Sequence, residues 1–238
     1  MIKFEAKNTT IYYHRHLGSN PVILLHGWGG SHISMLATFN YLSKFGLDII
    51  NIDLPGFGNS PNPPEFFTLE DYAETIKELI EKLSLSQVTL IGHSFGARIA
   101  ILLAKEKFVK NLILTGAAGI KPKFSFKKYI RIKQYKRAVK KGKDISQYGS
   151  SDYKQLPDNM RKVFNRIINR HLENDLKDIF KPVLLIWGKK DLDTPLYMAK
   201  KMNKLINDSA LIVFDGGHYV YIDKNKEFNL IAKKFIIP

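Results

Sequence analysis

From Val88 to Ala97 the chain reads Val-Thr-Leu-Ile-Gly-His-Ser-Phe-Gly-Ala, an apolar run that ends in the pattern G-x-S-x-G. Val88 to Ile91 has the length and composition of a buried strand, and Phe95 to Lys105 carries apolar residues along a helix-length stretch. A strand that passes into a helix through one serine must turn sharply, and glycines at 92 and 96 permit that turn without a Cβ clash. Such a turn pushes the Ser94 hydroxyl out at the strand tip and frees the backbone N–H of Phe95 to face a substrate.

The rest of the chain repeats the theme of apolar strands followed by polar or glycine-rich turns. Met1 to Ala6 and Thr10 to His16 read as two short strands that pair antiparallel. His14 and His16 share one face of the second, a spacing used in metal sites. With no carboxylate or third imidazole close in sequence, a solvated edge is the expectation. Pro21 to Leu25 is a buried strand entering His26-Gly27-Trp28-Gly29-Gly30, followed by an apolar helix from about 33 to 44. His26 reads as a residue that fixes this loop. Asp48 to Ile52 is the next strand. The loop after it contains G-x-G at 56–58, but the third glycine of a dinucleotide fingerprint is missing, because Pro61 and Asn62 follow Ser60. Thr68 and Asp71 form a capping box opening a helix to about Leu83. Strands at 109–115, 182–187 and 210–214 and a helix at about 224–235 complete the pattern. The last two strands end in Gly188-Lys-Lys-Asp191-Leu-Asp193-Thr-Pro195 and in Asp215-Gly-Gly-His218, polar residues at the strand ends where open parallel sheets place their chemistry.

At 238 residues with 45% hydrophobic content, one domain with an inserted lobe is expected. No apolar run reaches the roughly 20 residues of a membrane span, and residues 1–8 lack the apolar core of a signal peptide, so a cytoplasmic protein is expected. The absence of cysteine excludes disulfides, thiolate zinc sites and cysteine nucleophiles.

The strand–G-x-S-x-G–helix unit, the His-Gly-Trp-Gly-Gly loop and the D-x-P-G-x-G-x-S stretch at 53–60 together resemble the α/β-hydrolase family, in its serine hydrolase branch with a helical cap. The resemblance implies a mostly parallel central sheet flanked by helices, with a small helical cap inserted between two strands. It implies Ser94 as nucleophile, His218 as base and an aspartate that fixes the imidazole, in the family's chain order of Ser, Asp, His. Asp193 is the rival for the acid; Asp191 is preferred because Gly188, Asp191 and Pro195 match the family's G-x-x-D with a proline four residues on. The backbone N–H groups of Trp28 and Phe95 would form the oxyanion hole. The 53–60 loop is mainly structural in the family. Of the other histidines, His93 should point away from the chemistry and His171 falls on an apolar helix. Arg98, one helical turn after Ser94, and Tyr219 are candidate substrate contacts; the alternative for Arg98 is a partly buried ion pair holding its helix to a loop.

The expected activity is therefore cofactor-free hydrolysis of a carboxylic acyl ester through an acyl-enzyme on Ser94, with no metal. Carbon–carbon bond hydrolysis on the same scaffold is the enzymatic alternative, and a ligand- or partner-binding protein without turnover is the alternative of another class. Haloalkane dehalogenation is disfavoured, since its scaffold relatives use a carboxylate nucleophile where this chain has Ser94.

About 65 residues separate the strands at 109–115 and 182–187, far more than a loop needs. The division expected is a hydrolase core at 1–119 and 181–238 and a cap at 120–180. Phe126, Tyr129, Ile132, Tyr135 and Val139 recur at helical spacing, as do Met160, Val163, Phe164, Ile167, Ile168, His171 and Leu172, and the first set should face inward. The interval 120–180 holds 17 Lys and Arg against 6 Asp and Glu, +11 of the chain's +15. Turning the first set inward sends most of Lys127, Lys128, Arg131, Lys136, Arg137, Lys140 and Lys141 outward, and such a basic face suits an anionic lipid surface or an acidic carrier protein presenting an acyl chain. No nucleic-acid-reading motif accompanies it, so specific nucleic-acid binding is not expected. Oligomeric state is not legible.

Overall fold

The computed structural model describes residues 1–124 and 156–237, and between them Phe126, Ile130, Lys133, Gln134 and Arg137. Eight strands form one sheet: β1 (Ile2–Glu5), β2 (Thr10–His16), β3 (Ser19–Leu25), β4 (Leu47–Asp53), β5 (Val88–His93), β6 (Val109–Thr115), β7 (Val183–Gly188) and β8 (Ser209–Phe214), in the spatial order β1-β2-β4-β3-β5-β6-β7-β8. The first pairing and β2 with β4 are antiparallel, and every other pairing is parallel. The order reverses direction at β3, which lies between β4 and β5. The loops leaving the ends of β3 and β5 therefore diverge at a crevice, the position where open α/β sheets bind ligands.

The parallel strands are apolar on both faces because both are covered. Ile23, Leu25, Ile50, Ile52, Leu90, Leu112 and Leu185 belong to a core shared with helices α2 (Leu69–Lys82), α3 (Phe95–Leu103) and α6 (Leu196–Leu205). Their strand neighbours Val22, Leu24, Ile49, Ile91, Ile113 and Ile186 point the opposite way, toward α1 (Leu36–Leu42), α7 (Val220–Asp223) and α8 (Asn225–Ile236). The expected helix at 33–44 is broken into α1 with a short 3-10 turn at each end. Helix α2 begins at the capping box: Thr68 Oγ1 accepts the Asp71 N–H at 3.2 Å, and the Asp71 carboxylate accepts the Thr68 N–H at 2.8 Å, an arrangement worth about 1 kcal/mol.

Asp53, fully buried at the end of β4, accepts the N–H of His32 and that of Asn59, and is 2.8 Å from His32 Nδ1. Ser60 Oγ donates to Asp53 O and accepts the Tyr12 N–H. The 53–60 loop thus spends its polar groups holding β2, β4 and the β3 loop together. His14 departs from the solvated edge expected of it. Its ring centroid lies 4.7 Å from that of His32, which is held in turn by Asp53, so a third imidazole and a carboxylate are close in space though remote in sequence. His16 turns elsewhere, to the Leu47 carbonyl.

In the interval before β7, α4 (Asp158–Asn169) and α5 (Glu173–Lys177) pack on the core. Met160, Val163 and Ile167 are buried as their spacing predicts, whereas Ile168 is 41% exposed, past the edge of that stripe. His171 follows α4 rather than lying on it. Phe126 also departs from expectation: it is 67% exposed, not turned inward. Three residues rotate a helix by about 300°, so a strict i+3 series drifts by about 60° at each step and does not keep one face. Tyr129, Ile132, Tyr135 and Val139, with Lys127, Lys128, Arg131, Lys136, Lys140 and Lys141 of the basic face, lie outside the described residues. Among the described residues no helix is long and apolar enough to cross a membrane.

Candidate active site

Strand β5 ends at His93, and Ser94 then adopts φ 49° and ψ −102° before α3 begins at Phe95. A positive φ on a residue with a Cβ costs about 1–3 kcal/mol. The turn is held because the Ser94 N–H donates to Thr115 O at 3.0 Å and its carbonyl accepts the Ala118 N–H at 3.2 Å. The flanking glycines are required by close approach. A Cβ on Gly96 would lie 2.2 Å from Leu25 O, and one on Gly92 2.6 Å from Ala97 Cα. The first contact lets α3 start directly against the exit of β3, which brings the His-Gly-Trp-Gly-Gly loop beside Ser94.

In that loop His26 is fully buried, with Nδ1 bonded to Gly27 O at 2.7 Å and Nε2 accepting the Leu54 N–H at 3.0 Å. Burial pushes its pKa down to about 4, so it stays neutral and staples the loop to the segment after β4. Trp28 packs its ring on Phe57, Phe95 and Phe164, with centroids 4.9 to 5.2 Å away. Phe95 is 3% exposed, so its side chain is spent on packing and its N–H, at the first position of α3, has no intrahelical partner. The Trp28 N–H is likewise without a partner among the described residues.

The residues expected as acid and base, Asp191 and His218, meet beyond the ends of β7 and β8. Asp191 Oδ2 is 2.8 Å from His218 Nδ1, and Asp191 is 3% exposed. Its Oδ1 accepts the N–H groups of Asp193 and Thr194 at 2.9 and 2.8 Å. Burial alone would raise this carboxyl; the His218 and Thr194 hydrogen bonds outweigh it and hold the pKa below the usual value. Asp193 is exposed and contributes only a backbone N–H to this set. Thr194, which sequence reasoning passed over, places Oγ1 2.8 Å from Asp191 Oδ2, 3.1 Å from Gly116 O and 3.3 Å from His218 Nδ1. Its only sequence signal was its place beside the proline of the matching motif. A Cβ on Gly116 would lie 3.1 Å from His218 Nδ1, and Gly116 follows Thr115, the residue that anchors Ser94. His218 and Ser94 are thereby held on the same short stretch after β6. Oxygens of Asp191 and Asp193 and a nitrogen of His218 lie within 4.8 Å of one another, as a metal site would need. The Asp191 oxygens, however, already accept four hydrogen bonds, one of them shared with the imidazole, and this suits orientation of a base better than capture of an ion.

His93, expected to point away, lies closer to the chemistry than that. Its ring centroid is 4.7 Å from that of His218, and its Nε2 is 3.2 Å from His218 O. Arg98 turns from the site altogether. Its Nη1 donates to Ile167 O at 2.7 Å and to Arg170 O at 2.8 Å, the carbonyls that close α4. Among the described residues it makes no ion pair of the kind considered for it; it caps a helix. Burial, with Arg170 nearby, lowers its pKa to about 10. Arg170 continues the clamp to Glu70 on α2 and Asp175 on α5, and Lys162 reaches Glu65. Tyr219, half exposed, lines a cavity of about 470 Å³ with residues 27–30, Ser34, His93, Leu156 and Tyr221.

Residues 20–135 match the family model described as the alpha/beta hydrolase fold. The chain is 26% identical to the "AB hydrolase superfamily protein YisY" of Bacillus subtilis, over 90% of this chain and 91% of that protein. It is 24% identical to the 2-hydroxy-6-oxo-2,4-heptadienoate hydrolase of Pseudomonas putida, over 91% and 89% respectively. An esterase from Exiguobacterium antarcticum superposes with a TM-score of 0.78 at 25% identity, covering 97% of this chain and 96% of its own.

Proposed function

We propose that this chain, which belongs to the α/β-hydrolase fold family, is a cofactor-free serine hydrolase that cleaves a carboxylic acyl ester. The observation that carries the reading is the buried Asp191–His218 hydrogen bond of 2.8 Å, set beside a serine in a forced turn. Asp191 accepts the Nδ1 hydrogen, which leaves Nε2 of His218 as the basic nitrogen. Nε2 takes the Ser94 proton as Oγ bonds to the ester carbonyl carbon. The oxyanion that forms receives hydrogen bonds from the N–H groups of Trp28 and Phe95. As the tetrahedral intermediate collapses, His218 returns the proton to the departing alkoxide and leaves an acyl group on Ser94. Water activated by the same imidazole then releases the acid and restores the serine.

Carbon–carbon hydrolysis is the second reading, favoured by the similarity to the P. putida enzyme. The same residues would serve it, with a carbanion as leaving group. Labelling with a fluorophosphonate, followed by turnover of p-nitrophenyl esters from acetate to decanoate beside a vinylogous 1,5-diketone acid, tests both. Rapid labelling at Ser94 with ester turnover is expected. Turnover of the diketone alone transfers the conclusion to the second reading, and an unreactive Ser94 overturns both.

A further inference from the structure

The loops that leave β6, β7 and β8 emerge on one edge of the sheet, because those strands are neighbours and run parallel. The Asp191–His218 hydrogen bond joins two of these loops, and each of its residues is followed directly by an exposed apolar side chain. Leu192, after Asp191, is 90% exposed; Tyr219, after His218, is half exposed. Ile222, also half exposed, sits in the same turn as Tyr219, whose carbonyl accepts its N–H at 2.8 Å. The loop after β6 adds Phe124, 78% exposed. That loop is fixed beside the start of α6, where the Lys123 N–H donates to Tyr197 Oη at 3.1 Å. One exposed leucine is ordinary, but several large apolar side chains on adjoining loops of one edge mark a surface that meets something.

The segment that follows β6 supplies charge of one sign. Residues 121–143 contain 11 Lys and Arg and no Asp or Glu. Among the described residues of that segment, Phe126, Ile130, Lys133 and Arg137 are helical and exposed. Their spacing puts them in one stripe about 60° wide, apolar at its start and basic beyond. Lys189 adds an exposed cation after β7, whereas Lys190 is taken by Asp215 at 2.8 Å. A protein partner would bury a contiguous apolar centre inside a polar rim. Here the apolar side chains stand apart on loop tips with cations between them. A bilayer interface accepts that arrangement, since separate apolar tips enter between headgroups while cations meet anionic phosphates. We infer that this edge docks on an anionic lipid surface, with Leu192 and Phe124 entering the headgroup region and the Asp191–His218 pair held against the membrane. The inference goes beyond the hydrolase reading and does not require turnover.

Phosphatidylcholine vesicles with and without phosphatidylglycerol test it, using the intact chain and no substrate. Co-sedimentation with the anionic vesicles at low salt is expected, and little with the neutral ones. Binding should weaken as salt rises, because each cation near the surface contributes about a fivefold factor that screening removes. Leu192→Ser with Phe124→Ser leaves the charge unchanged and should lower binding about tenfold. Leu17→Ser with Phe180→Ser is the control: these side chains are 74% and 76% exposed but precede β3 and β7, at the opposite edge, and their loss should change nothing. With all four side chains exposed, thermal unfolding of both variants should match the parent. Because the chain has no cysteine, Leu192→Cys carrying a polarity-sensitive fluorophore reports insertion directly. Its emission should shift to the blue on anionic vesicles, and that of the same label on Phe180→Cys should not. Soluble polyglutamate is the competing probe. Salt-sensitive binding to polyglutamate with no blue shift at position 192 assigns the surface to acidic proteins and overturns the inference. So does failure to bind anionic vesicles, or vesicle binding that survives Leu192→Ser with Phe124→Ser. Turnover of p-nitrophenyl acetate keeps the two readings apart. A chain that docks while Ser94 is unreactive retains this inference and loses the hydrolase reading; a chain that turns over but ignores vesicles does the reverse.

Discussion

Arg98 on the helix that follows Ser94 donates to the carbonyl of Ile167, 2.7 Å away at the end of α4. The floor beneath Ser94 and the roof that carries Phe164 over Trp28 are therefore tied by one buried guanidinium. Arg98→Met keeps the length and leaves the Ile167 and Arg170 carbonyls without this donor. Loss of two hydrogen bonds from a charged group predicts a drop of about 2–3 kcal/mol in unfolding free energy, measurable in urea. Arg98→Lys, which supplies charge without the planar fork, should recover only part of it.

The acid assignment separates two neighbouring carboxylates. Asp191→Asn is expected to lower kcat roughly 10³- to 10⁴-fold on an activated ester, because the amide removes the charge that holds the imidazole in its working tautomer. Asp193→Asn should stay within a few-fold of the parent, since that residue offers the site only its backbone N–H. Comparable losses in both variants would assign the acid role to the pair.

Two buried histidines make stability depend on pH. His26 and His93 are pushed by burial to about 4 and about 3, below the ordinary histidine value of 6.5. Between those values the unfolded chain binds protons that the native state refuses, so stability is complete above pH 6.5 and declines as the pH falls. At pH 5 each contributes a loss of about 2 kcal/mol relative to neutral pH. Urea unfolding at pH 7.5 and 5 should show this loss, and His93→Phe should show about half of it. An unchanged pH dependence in that variant would mean that His93 titrates normally.

Gly96→Ala probes the approach of α3 to the β3 loop. The added methyl meets the Leu25 carbonyl at 2.2 Å, backbone against which no side chain can swing aside. A cost of about 3 kcal/mol is expected. Activity should fall further than stability, because relief of the clash shifts Trp28 relative to Phe95. Circular dichroism and ester turnover on the same sample give both.

The strands were legible because each is a continuous apolar run that ends in a turn signal, and strand β6 occupies the limits read for it, Val109–Thr115. Ser94, Asp191 and His218 stood out as polar residues at the ends of such runs. What sequence could not supply was partnership across the fold. The spacing placed Arg98 beneath Ser94, but its partners are 69 and 72 residues away and are backbone atoms, which carry no side-chain signal. His32 and Asp53 joined His14 for the same reason. Thr194 was missed because its role exists only once the loop after β7 has folded around Asp191. In the interval before β7, periodicity found the buried stripe of α4 yet misjudged Phe126, since an i+3 series does not stay on one face.

The conformation of Ser94 sets catalysis against durability at a single position. With φ at 49°, the residue that would perform the chemistry occupies backbone space that glycine enters freely. Ser94→Gly should therefore be inactive and at least as stable as the parent, even after the added freedom of its unfolded chain is counted. Under selection for persistence alone this position would drift to glycine. On the proposed reading, the serine kept there is the cost in stability that turnover exacts, and its replacement by glycine is the first change expected in a lineage that no longer needs the reaction.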